Sequence, residues 1–394
     1  MDAWQPVARS TIVKDAHWER ALEKALEQTT DIAADVALLF ASGAYARYFP
    51  EILHRARHET GASVLIGCSG QGIIGTAQEL EGVPALALLT LSLPGAILHS
   101  TRLTQEMVED CSDPADWPLR LEIPSHDVNA WLIFADPYRL DCEELIEGLE
   151  AAYPGRPMLG GLASFGPTER RTFVFLNREV YDAGGVGLSI GGPYTIQPLV
   201  SQGCEPIGEP WTITAVQDNI IQTISNRPAY DLLVETLESL PEEMQLRAQN
   251  NLMVGLAADE YRESFGRGSY LIRPLLGIDP DSGAIAIGAY PRLGQTIQFQ
   301  MRDATAADLD LKELLEKTRA NLGAQKPFAG ILCSCNGRGI GMFGEPHHDA
   351  SAIANTLGML PLAGLFCNGE IGPIGTRTFL HGFTASLALL MKKE

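Results

Sequence analysis

The sequence predicts an α/β protein with an α+β tendency, built from two pseudo-repeated domains whose mixed, antiparallel-rich sheets are flanked by helices. A unit of apolar strand, amphipathic helix, apolar strand, glycine turn and apolar strand recurs along the chain. Most of the strands are continuous apolar runs, which are typical of sheets covered on both faces. The tight glycine turns predict hairpins beside the crossover helices, so a singly alternating, doubly wound fold does not fit.

The first copy of this unit lies near the N-terminus. Its opening strand is Val36 to Phe40, and its helix is predicted near Tyr48 to Thr60, with Gly61 as the stop signal. The strand SVLIG, the turn CSGQG and the strand ALALLTL complete it. This order predicts a crossover connection followed by a hairpin.

The second copy repeats that order. It opens with the strand WLIFA at Trp131 to Ala135, and Asp141 with Glu144 three residues later forms a capping-box pattern for its helix. The strands MLGGLAS and TFVFL follow, separated by a Gly-Pro turn. The spacing therefore predicts the same supersecondary structure as in the first copy.

The third copy lies at the C-terminus, and a looser fourth copy precedes it. The third copy contains the strand AGILCSC, a helix over about 349–357, and the runs LPLAGLFCNGEIGP and TFLHGFTASLALL. The fourth contains a helix over 230–240 and the strands LMVGLAA, YLIRPLLG and GAIAIGA, and a long helix is predicted over 305–322. Four copies predict two domains of two copies each. The Pro- and Gly-rich segment 203–211 predicts the boundary between them, so the domains are expected at 30–205 and 206–391.

The composition limits the classes of binding partner and the cellular compartment that we expect for this protein. The 394 residues carry 29 basic and 49 acidic side chains, a net charge of −20, and this charge repels nucleic acids and anionic membrane surfaces. No apolar run reaches the length of a membrane span, and the N-terminus lacks a signal-peptide pattern. The seven cysteines are an odd number typical of reduced thiols. We therefore expect a soluble, cytoplasmic protein that binds neither nucleic acid nor membrane.

The repeated runs resemble a known family. CNGRG, PLAGLFCNGEIGP and TFLHGFTASLAL resemble the C-terminal half of the FIST domain, and VLIGCSGQGIIG and PMLGGLAS resemble its N-terminal half. The resemblance extends over nearly all of residues 30 to 390. It implies a sensory module that binds small ligands such as amino acids, and in relatives this module is often fused to signalling domains. No segment is left for such an output domain, so we expect either that the protein signals through a separate signalling protein or that it does something else with its ligand.

We expect the ligand site where two loops of the third copy meet. The loop after AGILCSC contains Cys335, Asn336, Gly337, Arg338 and Gly339, and the loop after the neighbouring strand contains Asn368, Gly369 and Glu370. A glycine-rich turn presents main-chain N–H groups, and Arg338 could bind a carboxylate through two parallel hydrogen bonds. Glu370 could take an ammonium group that Asn368 orients, which suits an amino acid. The alternative is that Arg338 and Glu370 pair with each other and only fix the loops.

Three further residues are candidates for the same ligand. Cys68 and Ser69 lie in the corresponding turn of the first copy, which has no arginine and so either is structural or contributes main-chain groups. Arg273 lies inside an apolar strand, where a guanidinium needs a partner, either the ligand or a carboxylate.

Enzyme interpretations fit the motifs less well. Two G-x-G-x-x-G runs, at 70–75 and 339–344, lack the strand–turn–helix context that a dinucleotide requires. Cys333 and Cys335 with His347 and His348 do not have a standard zinc spacing, and no G-x-S-x-G elbow is present. We therefore predict no catalytic residue, no metal and no cofactor. Two alternatives stay open: an enzyme that uses the same glycine-lined pocket with a bound nucleotide or metal, and a pure interaction scaffold.

Overall fold

The fold was analysed in a computed structural model that describes residues 5–249 and 251–393. Mixed sheets flanked by helices confirm the predicted fold class. No helix within these residues combines the length and the hydropathy needed to cross a membrane.

The strands follow one another along the whole chain, and most of them are short. They are β1 (Val7–Lys14), β2 (Val36–Ser42), β3 (Val64–Gly70), β4 (Gly72–Gly75), β5 (Gln78–Glu81), β6 (Ala85–Ser92), β7 (Leu98–Leu103), β8 (Ala130–Ala135), β9 (Met158–Leu162), β10 (Val174–Leu176), β11 (Glu179–Tyr181), β12 (Gly185–Ile190), β13 (Tyr194–Gln202), β14 (Cys204–Pro206), β15 (Trp211–Gln217), β16 (Ile220–Ile224), β17 (Arg227–Pro228), β18 (Leu252–Ala257), β19 (Tyr270–Asp279), β20 (Ala284–Ile287), β21 (Thr296–Arg302), β22 (Ala329–Cys335), β23 (Leu362–Cys367), β24 (Glu370–Ile374), β25 (Arg377–His381) and β26 (Thr384–Lys392).

The helices lie between these strands, and two short 3₁₀ segments, Gly43–Tyr48 and Ser125–Asp127, accompany them. They are α1 (Trp18–Glu27), α2 (Phe49–Thr60), α3 (Gln105–Asp110), α4 (Asp116–Leu121), α5 (Cys142–Ala152), α6 (Ala229–Glu238), α7 (Glu242–Ala248), α8 (Ala304–Leu322), α9 (Ile340–Phe343) and α10 (His348–Leu357).

Contacts within the chain group these elements into two compact units. The first unit contains the described parts of 1–200, 311–380 and 384–394, and the second contains 201–310 and 381–383. The second unit begins near the predicted boundary segment 203–211, but the C-terminal residues belong to the first unit. The packing therefore groups the copies called first, second and third in one unit. The sequence instead predicts a division of the chain between residues 205 and 206.

The first unit contains three six-stranded sheets with a common plan. Their strand orders are β1-β6-β2-β3-β10-β11, β25-β24-β9-β8-β12-β7 and β13-β26-β22-β23-β4-β5. At the centre of each sheet, two parallel strands are joined by a helix: β2 with β3, β8 with β9, and β22 with β23. An antiparallel strand flanks each pair. The three copies recognised in the sequence thus build three related sheets.

The glycine-turn hairpins join these sheets in a cycle. The hairpin β4–β5 follows β3 in the chain but pairs with β23 in the third sheet. The hairpin β10–β11 pairs with β3 in the first sheet, and β24 pairs with β9 in the second. Each copy therefore completes the sheet of another copy, so the strand ends of all three copies come close together.

One glycine in each copy permits the close approach of the parallel strands. An added Cβ at Gly67, Gly160 or Gly364 would lie within 1.9 Å of a main-chain carbonyl oxygen on the neighbouring strand. These carbonyls belong to Leu39, Ile133 and Leu332. Glycine is required here because no side-chain atom fits between the strands.

The second unit is built on one eight-stranded sheet. Its strands β21, β15, β16, β20, β19 and β18 form a closed ring, because β18 pairs with both β19 and β21. Leu232 and Leu233 of α6 and Ala248 at the end of α7 pack on the apolar residues of this sheet. The fourth sequence copy contributes several of these strands.

Candidate functional site

A cavity of about 300 Å³ lies in the first unit, where strand ends of the three copies converge. Its walls include Ser42, Gln71 and Glu81 from the first copy, Phe165 from the second, and Asn336 and Phe366 from the third. None of the residues that line it, all within the described part of the chain, is basic. The cavity thus combines two aromatic walls with neutral polar groups and one carboxylate.

Asn336 is the predicted site residue that lines this cavity. Its main-chain N–H donates to the carbonyl oxygen of Cys367 at 2.9 Å, and its Nδ2 donates to Oδ1 of Asn368 at 2.9 Å. Its Oδ1 is shielded from solvent and has no hydrogen-bond partner among the described residues. A buried polar atom without a partner costs free energy, so this oxygen is an available acceptor for a bound molecule.

Glu81 supplies the carboxylate of the cavity. It ends β5, and its Oε1 accepts a hydrogen bond from the main-chain N–H of Ile340 at 2.9 Å. An added Cβ at Gly339 would lie 2.4 Å from this Oε1, and Gly339 has a φ of 75°. The predicted glycine turn is therefore shaped to receive a glutamate from another copy, which the sequence analysis did not identify.

Ser164 joins the three copies beneath the cavity. Its Oγ accepts from the main-chain N–H of Gln71 at 2.7 Å and donates to the carbonyl oxygen of Phe366 at 2.5 Å. Ser164 was not among the predicted site residues, although one signal in the sequence marks it. Counted from the close-approach glycines Gly67, Gly160 and Gly364, it occupies the position of Gln71 and Asn368.

Arg338 lies in the interior beside Asp349 of α10. Its Nε donates to Oδ2 of Asp349 at 2.8 Å and its Nη2 donates to Oδ1 at 2.9 Å, and only 1% of Arg338 and 2% of Asp349 side-chain surface is exposed. Ser334 donates to the same carboxylate at 2.9 Å. Burial alone would raise the pKa of Asp349, but the guanidinium of Arg338 outweighs it and holds that pKa well below its usual value.

Glu370 is also fully buried. Its Oε2 accepts from the main-chain N–H and the hydroxyl of Thr384 at 3.1 and 2.7 Å, and its Oε1 accepts from the Sγ of Cys367 at 3.3 Å. Burial raises the pKa of Glu370 to about 7. Arg338 and Glu370 are thus bound to different protein groups, and neither belongs to the cavity wall.

A second buried carboxyl group, Glu79, lies next to Asp349. Its Oε1 accepts from the main-chain N–H of Ala350 at 2.9 Å, while its Oε2 has no partner among residues 5–249 and 251–393. Burial, followed by the charge of Asp349, raises the pKa of Glu79 to about 8. The short strand that carries it, QELE, gives no sequence signal of burial.

The remaining predicted residues fall into three groups. Gly337 and the half-buried Cys335 adjoin Asn336, and the carbonyl of Gly369 accepts from the N–H of Leu162. Cys68 lies in the apolar core, and Ser69 is fully buried, where its hydroxyl donates to the carbonyl of Ser164 at 2.7 Å. Arg273 belongs to the second unit, where its Nη1 donates to the carbonyl of Ile272 at 3.1 Å.

The glycine motifs considered as nucleotide sites do not form a strand–turn–helix unit. The glycines at 70–75 run from β3 directly into β4, and those at 339–344 flank the four-residue helix α9. In the described ranges, no three His, Cys, Asp or Glu side chains are grouped so that they could hold a metal ion.

Comparison with known protein families shows which family the chain belongs to. Residues 35–227 match the FIST N domain and residues 229–373 match the FIST C domain. The chain belongs to the FIST family. FIST domains are taken to be sensory ligand-binding domains.

Relatives of this FIST protein extend over nearly its whole length. An uncharacterised protein of Mycobacterium tuberculosis (strain CDC 1551) is 38% identical over 356 residues, 90% of this chain and 91% of the relative. An uncharacterised protein of Mycobacterium bovis is 35% identical over 371 residues, 94% of each chain. A crystal structure of cyanuric acid hydrolase from A. caulinodans aligns with 99% of both chains at 10% identity and a TM-score of 0.34, a likeness too low for any inference.

Proposed function

We propose that this FIST protein is a sensory module that binds a small polar ligand in the cavity lined by Gln71, Glu81 and Asn336. One observation carries the proposal. Asn336 lines a cavity of about 300 Å³ to which three copies of the repeat contribute, and its Oδ1 is a solvent-shielded acceptor without a partner among the described residues. This volume lies at the lower end of the range for small-molecule sites.

The ligand we propose carries an ammonium group, as an amino acid does. Glu81 and the Oδ1 of Asn336 are both acceptors, and they suit a cationic donor better than an anion. The predicted carboxylate-binding group, Arg338, is bound to Asp349 instead. An amine that lacks the carboxylate is therefore expected to compete with the corresponding amino acid.

Arg338, Asn368 and Glu370 support this site in the proposal rather than contact the ligand. Asn368 holds Asn336 through its Oδ1 and is itself held by the carbonyl of Ala163 at 2.8 Å. We further propose that the ligand-bound form is recognised by a separate signalling protein in the cytoplasm. No disulfide bond joins any of the seven cysteines, all of which lie within the described residues, and this supports a reducing compartment.

Isothermal titration calorimetry with free amino acids and their decarboxylated amines tests the ligand. We expect Asn336→Ala and Glu81→Gln each to weaken binding about tenfold or more, equivalent to about 1.4 kcal/mol. Matched controls are Gln197→Ala and Glu59→Gln, which change exposed side chains away from the cavity. Unchanged affinity in both cavity variants, or no binding of any amine, would refute the proposed site.

A further inference from the structure

Two cysteines at the ends of neighbouring strands form a pair that the sensory function does not use. We propose that Cys335 and Cys367 form a reversible disulfide bond when the protein meets a peroxide. The proposal concerns a modification site and does not depend on the identity of the ligand.

The sheet register places these two residues side by side. Cys335 of β22 and Cys367 of β23 are Cα partners in a parallel strand pair. Partners in such a register project to the same face of the sheet, and neighbouring strands lie about 4.8 Å apart. This spacing falls within the range of about 4.4–6.8 Å that disulfides require between Cα atoms. The Cα spacing of the two strands therefore suits a disulfide bond between these residues.

Accessibility distinguishes the two thiols. Cys335 is half-buried and directly precedes Asn336 in the cavity wall, whereas the other six cysteines are buried. Burial raises the pKa of Cys367 well above its usual value, so Cys367 remains protonated. An oxidant in solution therefore reacts first at Cys335, since reactivity requires exposure.

Cys367 is positioned to complete the reaction because an acceptor for its proton is in contact with it. The Sγ of Cys367 donates to Oε1 of Glu370 at 3.3 Å. Gly161 packs on this thiol, since an added Cβ there would lie 3.1 Å from the Sγ of Cys367 and 3.1 Å from the Cβ of Cys333. The carboxylate accepts this proton as the sulfur of Cys367 attacks, so no free thiolate of Cys367 is needed.

The chemistry balances with hydrogen peroxide as the oxidant. The sulfur of Cys335 attacks one peroxide oxygen, the O–O bond breaks, the thiol proton of Cys335 passes to the departing oxygen, and one water and a sulfenic acid form. The sulfur of Cys367 then attacks the sulfenic sulfur, the S–O bond breaks, and the hydroxyl leaves as a second water with the proton held by Glu370. Two thiols lose two electrons and one peroxide gains them. A dithiol reductant reverses the step.

Peptide mapping by mass spectrometry tests the proposal on the full chain. The native protein is treated with stoichiometric hydrogen peroxide, alkylated, and digested without reductant. We expect two of the seven thiols to escape alkylation, the mass to fall by two hydrogens, and one cross-linked peptide to join Cys335 to Cys367, with all three changes reversed by dithiothreitol. Cys335→Ser should abolish the cross-link, and Cys142→Ser, which removes a thiol distant in the chain, should retain it.

Three results would overturn the proposal. They are a cross-link between Cys333 and Cys367, which is diagonal in the register, an oxidised Cys335 without any cross-link, and a peroxide-treated protein in which all seven thiols remain alkylatable. The wild-type map is decisive by itself, so the test does not require that a variant folds.

Discussion

Arg338 and Asp349 form a doubly hydrogen-bonded ion pair, with 2.8 Å from Nε to Oδ2 and 2.9 Å from Nη2 to Oδ1, and protein surrounds both side chains. The pair ties the turn after β22 to the first turn of α10. Arg338 therefore fixes the loop that carries Asn336, whereas the sequence suggested that it faces a ligand. The carboxylate that pairs with Arg338 is therefore Asp349 of α10 and not Glu370.

Breaking this ion pair is expected to destabilise the protein strongly. Asp349→Asn leaves a buried guanidinium without its counter-charge, and we expect a loss of about 3–5 kcal/mol in the free energy of unfolding. Urea denaturation followed by circular dichroism measures it. The control is Asp31→Asn, whose partner Arg9 is 42% exposed, and its cost should stay below about 1 kcal/mol. Equal costs for the two variants would show that Arg338 is not held by Asp349.

Burial of Glu370 is expected to make stability depend on pH. Its pKa is about 7 in the folded protein and near 4.5 when unfolded, so the folded state binds the proton more tightly. This stabilisation is complete below about pH 4.5 and is lost as the pH rises through 7. Glu370→Gln removes the titration, so its stability relative to wild type should increase between pH 5 and pH 8.

Chemical denaturation at the two pH values measures this difference. Glu79→Gln should behave in the same way up to about pH 8, because the pKa of Glu79 is raised to about 8. The exposed Glu59→Gln is the control and should show the same difference from wild type at both values. A difference for Glu370→Gln that does not change with pH would contradict the raised pKa.

Gly364 is expected to tolerate no side chain. An added Cβ would lie 1.9 Å from the carbonyl oxygen of Leu332, and a main-chain atom cannot move aside as a side chain can. We expect Gly364→Ala to cost at least about 3 kcal/mol or to prevent folding, as severe overpacking does. Gly341→Ala is the matched control, since no atom lies within 4 Å of its added Cβ, and thermal melting should separate the two variants clearly. Similar melting temperatures would contradict the close strand approach.

The hydroxyl of Ser164 is expected to stabilise the junction of the three copies. Ser164→Ala leaves the N–H of Gln71 and the carbonyl of Phe366 without this partner, at an expected cost of about 2 kcal/mol. Ser189 is equally buried, but its hydroxyl has no hydrogen-bond partner among the described residues, so Ser189→Ala should be neutral or slightly stabilising. Urea titration of both variants gives the comparison. A larger loss at Ser189 would mean that the hydrogen bonds of Ser164 contribute little.

Local elements were predicted well because their signals lie within a few residues. The carboxylate of Asp141 accepts from the N–H of Glu144 at 3.0 Å, as the capping pattern predicts, and Gly61 ends α2 with a φ of 67°. One helix start was wrong: the long helix was predicted to begin at residue 305, whereas α8 begins at Ala304 and Asp303 accepts from the N–H of Ala306 at 2.8 Å. Only the first residue of this helix was misjudged, because several polar residues precede the helix and could each cap it.

The sequence by itself determined the repeated strand–helix–strand units, their glycine turns, the family and the presence of Asn336 at a strand end. Tertiary structure decided which sheet each hairpin joins, that Arg338 pairs with Asp349, and that Gln71, Glu81 and Asn336 share one cavity. Periodicity and capping act over a few residues and can be read locally. Hairpin exchange joins residues hundreds of positions apart, as between Gly72 and Phe366. Arg338 and Asp349 are close in sequence, but their pairing depends on the packing that buries both side chains, and only the competition among all such contacts selects the partners.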